Sequence, residues 1–287
     1  MKICVVGLGL IGGSMGLALK SAGHSVYGFN RSKDVYDYAL SHGVIDGVAT
    51  DFSSYDVVFV ALPFKPTLDF ILTTAFKQGA IVADICGVKE PIERVVLSAN
   101  LPIRYVGTHP MAGKEVSSIY NACNDLFKGA SMVICSNEQT DKGAVETIKN
   151  LTADMLFGRI VECTAEVHDK KIAYTSQLAH VVSNCYVKDD EIESCLGFTG
   201  GSFQDMTRIA GVDENMWSSL YLANDENLLE KLQKLIDNLS LVKDAVQGGD
   251  EQVLRQVLKD GRARYQDSKS RAFSSEHVKT TVINKGE

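Results

Sequence analysis

The stretch KICVVGLGLIGGS, residues 2–14, decides the fold class of this 287-residue chain. Residues 2–7 are short, apolar and β-branched, which indicates a strand buried on both faces. Residues 10–22 then have the composition of a helix with small residues on one face, so the glycines lie at the turn between strand and helix. A strand, a G-x-G-x-x-G turn and a helix, in that order, are typical of a dinucleotide-binding unit.

All six residues of this turn are assigned to the cofactor: Gly7, Leu8, Gly9, Leu10, Ile11 and Gly12. Gly7 permits the tight turn, Gly9 lets a pyrophosphate approach the backbone, and Gly12 lets the helix pack on the strand. Free backbone N–H groups and the helix dipole then bind the diphosphate. The alternative is a glycine-rich turn that binds no ligand.

Strands and helices alternate outward from this turn. Further strands are predicted at residues 24–30, 55–63, 80–85, 103–110, 131–136 and 158–164. Helices are predicted between them at residues 35–43, 68–76, 89–99 and 140–153. Because helices that connect parallel strands form right-handed crossovers, this order predicts an α/β fold with a Rossmann-like, doubly wound parallel sheet.

The pattern changes after residue 164. Residues 165–187 form one long, mostly apolar segment without proline or glycine, which predicts one long helix, and 227–247 has apolar residues at helical spacing. We therefore predict a dinucleotide-binding domain at residues 1–164 and an all-α substrate-binding and dimerisation domain at 165–287.

The predicted helices carry more apolar surface than one chain can bury. This predicts a homodimer in which helices of both subunits interlace. The polar tail, residues 274–287, is expected to be frayed.

Composition excludes several classes of function. The net charge is −7 and no basic stripe stands out, so neither nucleic acid nor an anionic membrane is an expected partner. No apolar stretch reaches the length of a membrane span. The seven cysteines include no Cys-x-x-Cys pair, which favours reduced thiols and a cytoplasmic location. No metal site is predicted.

The end of the second strand bears on the choice between NAD and NADP. An NAD site usually has an acidic residue there, bonded to the ribose 2′-hydroxyl. Asn30 stands at that place, 18 residues after Gly12, and Arg31 and Ser32 follow it. An uncharged residue beside a cation and a hydroxyl favours a 2′-phosphate, so NADP is preferred over NAD. The alternative is a polar loop whose charges are only solvated.

The carboxyl ends of parallel strands form the ligand crevice of such a sheet. Leu62 and Pro63 end one strand, and Cys86 and Gly87 follow the next, so these four are assigned to the cofactor. His109 ends a later strand, where it can act as a base near neutral pH. The alternative is a structural loop histidine.

Several motifs follow one another along the chain. They are the glycine loop, D-x-x-x-V-K (84–89), G-x-H-P-M-A-G-x-E (107–115), A-C-N-D-L-F-K-G-A (122–130), H-D…S-x-L-x-H (168–180) and F-x-D-M-T-R-I (203–209). Together they resemble the prephenate/arogenate dehydrogenase family of tyrosine biosynthesis, in the form that has only the dehydrogenase unit. The resemblance implies a Rossmann-like domain followed by an all-α dimerisation domain, the layout of 6-phosphogluconate dehydrogenases.

The resemblance also implies a reaction, the oxidative decarboxylation of prephenate to 4-hydroxyphenylpyruvate, or of arogenate to tyrosine, with hydride transfer to NAD(P). His109 then polarises the C4 hydroxyl as hydride leaves, because a neutral imidazole can accept its proton. Arg208 matches the arginine that holds a substrate carboxylate, and its neighbours Met206 and Ile209 predict a half-buried helix.

Further substrate contacts are implied at the helical positions His168, Ser176 and His180, whose spacings of 8 and 4 residues predict one shared helix face. The only tryptophan, Trp217, matches an aromatic residue that reaches the neighbouring subunit's site. A core tryptophan is the alternative.

Three positions depart from the family pattern. Gly87 stands where the family often has a serine, and Lys114 stands where it often has a threonine. Lys114 is expected to add positive charge near the substrate. Gln204 stands where a basic residue is common, which leaves open whether the substrate is prephenate or arogenate.

Two other functions compete. A β-hydroxyacid-type NAD(P) dehydrogenase would use a helical Lys-x-x-x-Asn, but Lys170 is followed four residues on by Tyr174, and Lys171 by Thr175. A non-catalytic NAD(P)-sensing module needs neither His109 nor Arg208.

Overall fold

The computed structural model describes residues 1–114, 116–275 and 280–283. Within them, nine strands form one sheet: β1 (Lys2–Val6), β2 (Ser25–Phe29), β3 (Gly47–Val48), β4 (Val57–Val60), β5 (Ala80–Asp84), β6 (Ile103–Met111), β7 (Ser131–Cys135), β8 (Arg159–Cys163) and β9 (Thr280–Val282). Their spatial order is β3-β2-β1-β4-β5-β6-β7-β8-β9. This confirms the predicted Rossmann-like sheet.

Helices cover the sheet: α1 (Leu10–Ser21), α2 (Lys33–Ser41), α3 (Phe64–Thr73), α4 (Glu90–Ser98) and α5 (Lys142–Asp154). α3 begins four residues before the predicted helix at 68–76, since Pro66 is tolerated in a first turn that needs no N–H donor.

One strand pair departs from the predicted parallel sheet, since β7 runs antiparallel to β6. Among the described residues of the connection between them, 112–114 and 116–130, the only helical element is a short 3₁₀ turn at Ile119–Asn121. Because no crossover helix among these residues returns the chain to the other end of the sheet, β7 begins near the end of β6 and runs in the opposite direction.

The core lies on both faces of the sheet. In β1, Ile3 and Val5 pack with α1 on one face, whereas Cys4 and Val6 pack on the other. This alternation explains why the strand is an uninterrupted apolar run: both of its faces are buried. The carboxyl ends of β1, β4, β5 and β6 consequently meet at one edge.

The second part of the chain is helical. Its elements are α6 (Ala165–Ile172), a π-helix (Ala173–Gln177), α7 (Leu178–Tyr186), α8 (Gly201–Thr207), α9 (Glu214–Ala223), α10 (Asp225–Gly248) and α11 (Glu251–Ser275). The π-helix corrects the prediction of one uninterrupted helix over 165–187. Among the described residues, no helix is long and apolar enough to cross a membrane.

Helices α10 and α11 leave large apolar side chains uncovered, and Leu239 and Leu258 are 60% and 71% exposed. A groove of about 1320 Å³ runs between these helices and α6, lined by apolar side chains such as Leu178, Leu239 and Val257 and by charged ones such as Lys170, Lys234 and Arg264.

The tail, expected to be frayed, returns to the sheet instead. β9 pairs in parallel with β8, in the register Ile160↔Thr280. Residues 276–279 and 284–287 of this predicted tail lie outside the described residues, as does Glu115 of the histidine motif.

Candidate active site

The glycine loop separates positions that the fold needs from one that stays open. Gly7 has φ +91°, and a Cβ there would lie 2.2 Å from the Ala61 carbonyl oxygen. A Cβ on Gly12 would lie 1.9 Å from the Gly7 carbonyl oxygen. In contrast, no atom of the described residues lies within 4 Å of the place that a Cβ would take on Gly9, the residue that caps α1. An anion can therefore approach the backbone at Gly9.

The other residues of the loop face the protein. Leu8 and Leu10 are buried, and Ile11 packs against the core of the sheet. Only their backbone groups could contact a nucleotide, so the three side chains have a packing role.

The residues after β2 have different surroundings. The Asn30 side-chain oxygen accepts a hydrogen bond from the Leu8 backbone N–H at 3.2 Å, so Asn30 braces the glycine loop. Arg31 and Ser32 are exposed at the start of α2. Lys33 is paired with Asp37 at 2.7 Å. The exposed cation and hydroxyl are the groups that could bind a 2′-phosphate.

The ends of β4 and β5 complete this edge. Pro63 is exposed at the start of α3, and the Leu62 carbonyl oxygen accepts a hydrogen bond from Thr67 Oγ1 at 2.9 Å. Cys86 is buried, and burial raises the pKa of its thiol to about 11, so the sulfur is neutral. A Cβ on the next residue, Gly87, would lie 3.9 Å from His109 Cε1.

His109 lies near the end of β6 and is partly buried. Its Nδ1 lies 2.9 Å from Nε2 of His168 on α6. Burial, with smaller effects from His168 and Lys89, holds the pKa of His109 well below its usual range. The imidazole is therefore neutral near pH 7 and can accept a proton.

His168 is 2% exposed and both of its ring nitrogens have partners. Nε2 contacts His109, and Nδ1 lies 2.6 Å from Asp169 Oδ1. Burial, and then the charge of Lys89, hold the pKa of His168 well below its usual range. In this arrangement His168 has no nitrogen left for the substrate, which corrects the substrate contact that the family resemblance implies.

Asp169 connects the histidines to α4. Its Oδ1 accepts a hydrogen bond from the Lys89 backbone N–H at 2.8 Å, and its Oδ2 accepts one from Glu90 N–H at 2.9 Å. Burial raises the pKa of this carboxyl to about 6, so it is ionised above that pH. A carboxylate at a helix N-terminus is stabilised by the free N–H groups there.

A buried ion pair lies beneath His109. The fully buried Lys89 ammonium donates to Asp84 Oδ2 and, at 2.8 Å, to the carbonyl oxygen of Thr108, the residue before His109. Tyr105 donates its hydroxyl proton to Asp84 Oδ1 at 2.6 Å. In the sequence, Asp84 and Lys89 stand out only as part of a motif. The signal for their buried ion pair was the presence of a lysine and an aspartate in an otherwise apolar strand-to-helix turn.

Two further residues that the sequence analysis missed join the helical part to this centre. Asn224 donates to the Asp169 carbonyl oxygen at 2.9 Å and to Gln177 Oε1 at 2.8 Å. Gln177 in turn donates to the carbonyl oxygen of Leu220, whose side chain lies beside Gly87. Buried amides far apart in sequence gave no local signal.

A second group of predicted substrate residues meets around α7 and α9. The His180 ring lies 4.0 Å from the Trp217 ring, and His180 Nδ1 lies 3.1 Å from the Ile209 carbonyl oxygen. Burial lowers the pKa of His180, and the nearby Arg208 charge lowers it further. Arg208, His180 and Trp217 are therefore neighbours, with Trp217 half-buried.

Arg208 is exposed, which corrects the predicted half-buried helix. The reason is that α8 has only seven residues and buries none of them, so Gln204 is exposed as well. Ser176 is partly buried within the π-helix. The π-helix lies between His168 and His180 and contains Ser176, so the relative directions of the three side chains do not follow the α-helical repeat alone.

Lys114 lies apart from both groups. It is exposed on the loop after β6, and its Nζ lies 3.4 Å from Cys123 Sγ. The Cys123 backbone N–H donates to Ser14 Oγ on α1 at 3.0 Å, so Lys114 lies on the nucleotide-loop side.

Comparison with known proteins gives a consistent result. A family model described as the nucleotide-binding domain of prephenate dehydrogenase matches residues 15–161, and one described as its dimerization domain matches residues 164–260. Prephenate dehydrogenase from Bacillus subtilis (strain 168) is 31% identical over 278 residues, 91% of this chain and 74% of that protein. Prephenate dehydrogenase from Lactococcus lactis subsp. cremoris is 28% identical, covering 91% of this chain and 75% of that protein.

Among solved structures, the arogenate dehydrogenase of Synechocystis has a TM-score of 0.77 and 26% identity. The match covers 93% of this chain and 100% of that one.

Proposed function

The chain belongs to the prephenate dehydrogenase family, and from this we propose that it oxidatively decarboxylates prephenate or arogenate and passes hydride to NAD(P). The products are 4-hydroxyphenylpyruvate or tyrosine, carbon dioxide and NAD(P)H. One observation carries the proposal: a histidine held neutral by burial, His109, stands beside an open glycine, Gly87, at the sheet edge that presents the nucleotide loop.

His109 is the proposed catalytic residue. As hydride leaves C4 of the ring, the C4–O bond becomes a carbonyl and the hydroxyl proton passes to the imidazole. Loss of the ring carboxylate as carbon dioxide then supplies the electron pair that makes the ring aromatic, and the phenolate oxygen formed at C4 takes a proton back from the His109 imidazolium. NAD(P)⁺, when bound, supplies the hydride acceptor.

The glycine loop fits a dinucleotide because Gly9 is open and α1 has no acidic residue in its first turn. We propose NADP as the preferred cofactor, with Arg31 and Ser32 on the 2′-phosphate. In support, Asn30 places an uncharged amide where an acidic residue would repel that phosphate.

Arg208 is proposed to bind a substrate carboxylate through its guanidinium fork. His180, Ser176 and Gln204 then contact the substrate side chain from the adjoining helices. The groove along α10 and α11 is proposed to be covered by the second subunit of a homodimer. Trp217 is proposed to contribute to the active site of that second subunit.

The decisive experiment measures NAD(P)H formation at 340 nm with prephenate and with arogenate, each with NAD and with NADP. We expect turnover with at least one substrate and a higher kcat/KM for NADP. Arg31→Ala should reduce that preference for NADP and leave the rate with NAD unchanged.

His109→Asn is the matched catalytic control. It should lower kcat by roughly 10²- to 10⁴-fold, the usual contribution of a general base, with the Kd for the cofactor unchanged. No turnover in any of the four combinations, with cofactor still bound, would instead favour an NAD(P)-sensing role.

A further inference from the structure

We propose that Asp169 is a positioning residue that acts through His168 to determine which nitrogen of His109 accepts the substrate proton. The proposal rests on the proposed function, because it concerns the same histidine. It extends that function to a residue that never touches the substrate.

His109, His168 and Asp169 form a row of hydrogen-bonded side chains. The direction of the hydrogen bonds in this row follows from Asp169, the acceptor at its end. Asp169 already receives two backbone N–H groups from the start of α4, and as a carboxylate it can only accept. Nδ1 of His168 must therefore carry the proton in its 2.6 Å contact with Asp169. A neutral imidazole has one N–H, so Nε2 of His168 is left as an acceptor.

The same rule sets the next ring. His109 Nδ1 lies 2.9 Å from the acceptor nitrogen of His168, so Nδ1 of His109 carries the proton. Nε2 of His109 is then left with a lone pair, which is the nitrogen that can take the hydroxyl proton. A buried acid that holds a catalytic imidazole in one tautomer is the arrangement known from hydrolase triads, here with a second histidine inserted.

Residues around Asp169 keep its position fixed. Its carbonyl oxygen accepts from Asn224, and one of its two backbone partners is the N–H of Lys89, whose ammonium holds the Thr108 carbonyl oxygen just before His109. The acceptor and the base are thus both tied to Lys89. This rigid connection makes the tautomer a property of the folded protein.

Asp169→Asn tests the direction of the row. An amide oxygen that still accepts from Glu90 N–H places the NH₂ group where Oδ1 was, so the acceptor for Lys89 N–H is lost and Nδ1 of His168 becomes an acceptor. The protons of both rings then move, and Nε2 of His109 becomes protonated. We expect kcat to fall roughly 10³- to 10⁴-fold, with KM and the cofactor Kd within about twofold of wild type.

The tautomer is read directly by ¹⁵N NMR of histidine-labelled protein, with His109→Asn identifying the His109 resonances. In the wild type we expect Nδ1 of His109 to be protonated and Nε2 unprotonated, and in Asp169→Asn the reverse. A wild-type His109 protonated at Nε2, or an Asp169→Asn protein with unchanged spectra and kcat, would overturn the proposal.

A second pair of variants changes His168 and keeps the Asp169 carboxylate, which contacts the start of α4. His168→Gln keeps an acceptor near the position of Nε2, whereas His168→Leu has none. We expect Gln to preserve the His109 tautomer and at least tenfold more kcat than Leu; equal kcat and equal spectra in the two would contradict the proposal. Since the spectra need no turnover, an expected tautomer in a protein inactive with both substrates would refute the proposed function alone.

Discussion

The sheet region and the α10–α11 region bury their apolar side chains differently. In the sheet, β1 and β4 are covered on both faces, and even the charges of Asp84 and Lys89 are fully enclosed and paired. On α10 and α11, Leu239 and Leu258 face outward. The sheet region is therefore covered by its own helices, whereas the helical region leaves apolar side chains uncovered, as the proposed homodimer requires.

The first prediction, with the largest change in stability, concerns the buried ion pair of the sheet region. Lys89→Met leaves Asp84 as an unpaired buried charge, which should lower the free energy of unfolding by about 3–5 kcal/mol. Chemical denaturation measures it, and the loss should not depend on protein concentration. The control is Arg104→Met, whose half-exposed pair with Asp141 should contribute at most about 1 kcal/mol. Similar losses in the two variants would remove the distinction.

The second prediction concerns the exposed apolar side chains of α10 and α11. Leu239→Glu replaces an exposed apolar side chain of the groove with a charged one that an interface would have to desolvate, and should weaken dimerisation about 100-fold, or roughly 2.7 kcal/mol. Analytical ultracentrifugation measures the dissociation constant. Leu40→Glu, at a 43%-exposed leucine on α2 in the sheet region, should leave association unchanged. A wild-type protein that is monomeric at micromolar concentration would refute the homodimer itself.

A third prediction concerns pH. The folded pKa values of His109 and His168 lie well below 6.5, so the unfolded chain takes up protons first as pH falls. Asp169 acts in the opposite sense, since its folded pKa of about 6 exceeds the ordinary 3.8. The two histidines outweigh it, so stability should fall by roughly 2 kcal/mol between pH 7 and pH 5.

Denaturation at the two pH values measures this loss, and His109→Asn should reduce it because one buried histidine is gone. A variant as sensitive to pH as the wild type would place the effect elsewhere in the molecule.

The fourth prediction, with the smallest effect, compares two glycines of the glycine loop. Gly9 is open to a ligand, whereas Gly12 is required by the fold. Gly9→Ala should leave the melting temperature unchanged, since space is open there, yet raise the cofactor Kd about tenfold, or about 1.4 kcal/mol. Gly12→Ala should lower the melting temperature, because its Cβ would overlap the Gly7 carbonyl oxygen. Calorimetry and fluorescence titration measure the two outcomes, and equal behaviour of both variants would show that the loop does not divide in this way.

The sequence predicted those features whose signals are local. The apolar run of β1, the glycine turn and the position of His109 at the end of β6 all follow from residues close together in the chain. The antiparallel β7 could not be predicted, because strands and helices were taken to alternate throughout. The relation between Asp169 and Lys89 joins positions 80 residues apart and depends on how α6 packs against the start of α4.

The contacts of His168 likewise could not be predicted from the sequence. Its place on an apolar helix indicated a polar group facing a cleft, and the family resemblance implied a substrate contact. Its burial and its two engaged nitrogens emerge only from the three-dimensional neighbours His109 and Asp169.

The π-helix at Ala173–Gln177 has a consequence for the length of the chain. A π-helical turn is closed by i→i+5 hydrogen bonds, so it holds one residue more than an α-helical turn. A single deletion within this segment would let it close as an ordinary α-turn, with α6 and α7 kept in line. A single insertion within α6 or α7 would instead turn the residues beyond it by about 100°. The π-helix is therefore the place in this helical segment where the chain can lose a residue without changing the relative rotation of His168 and His180.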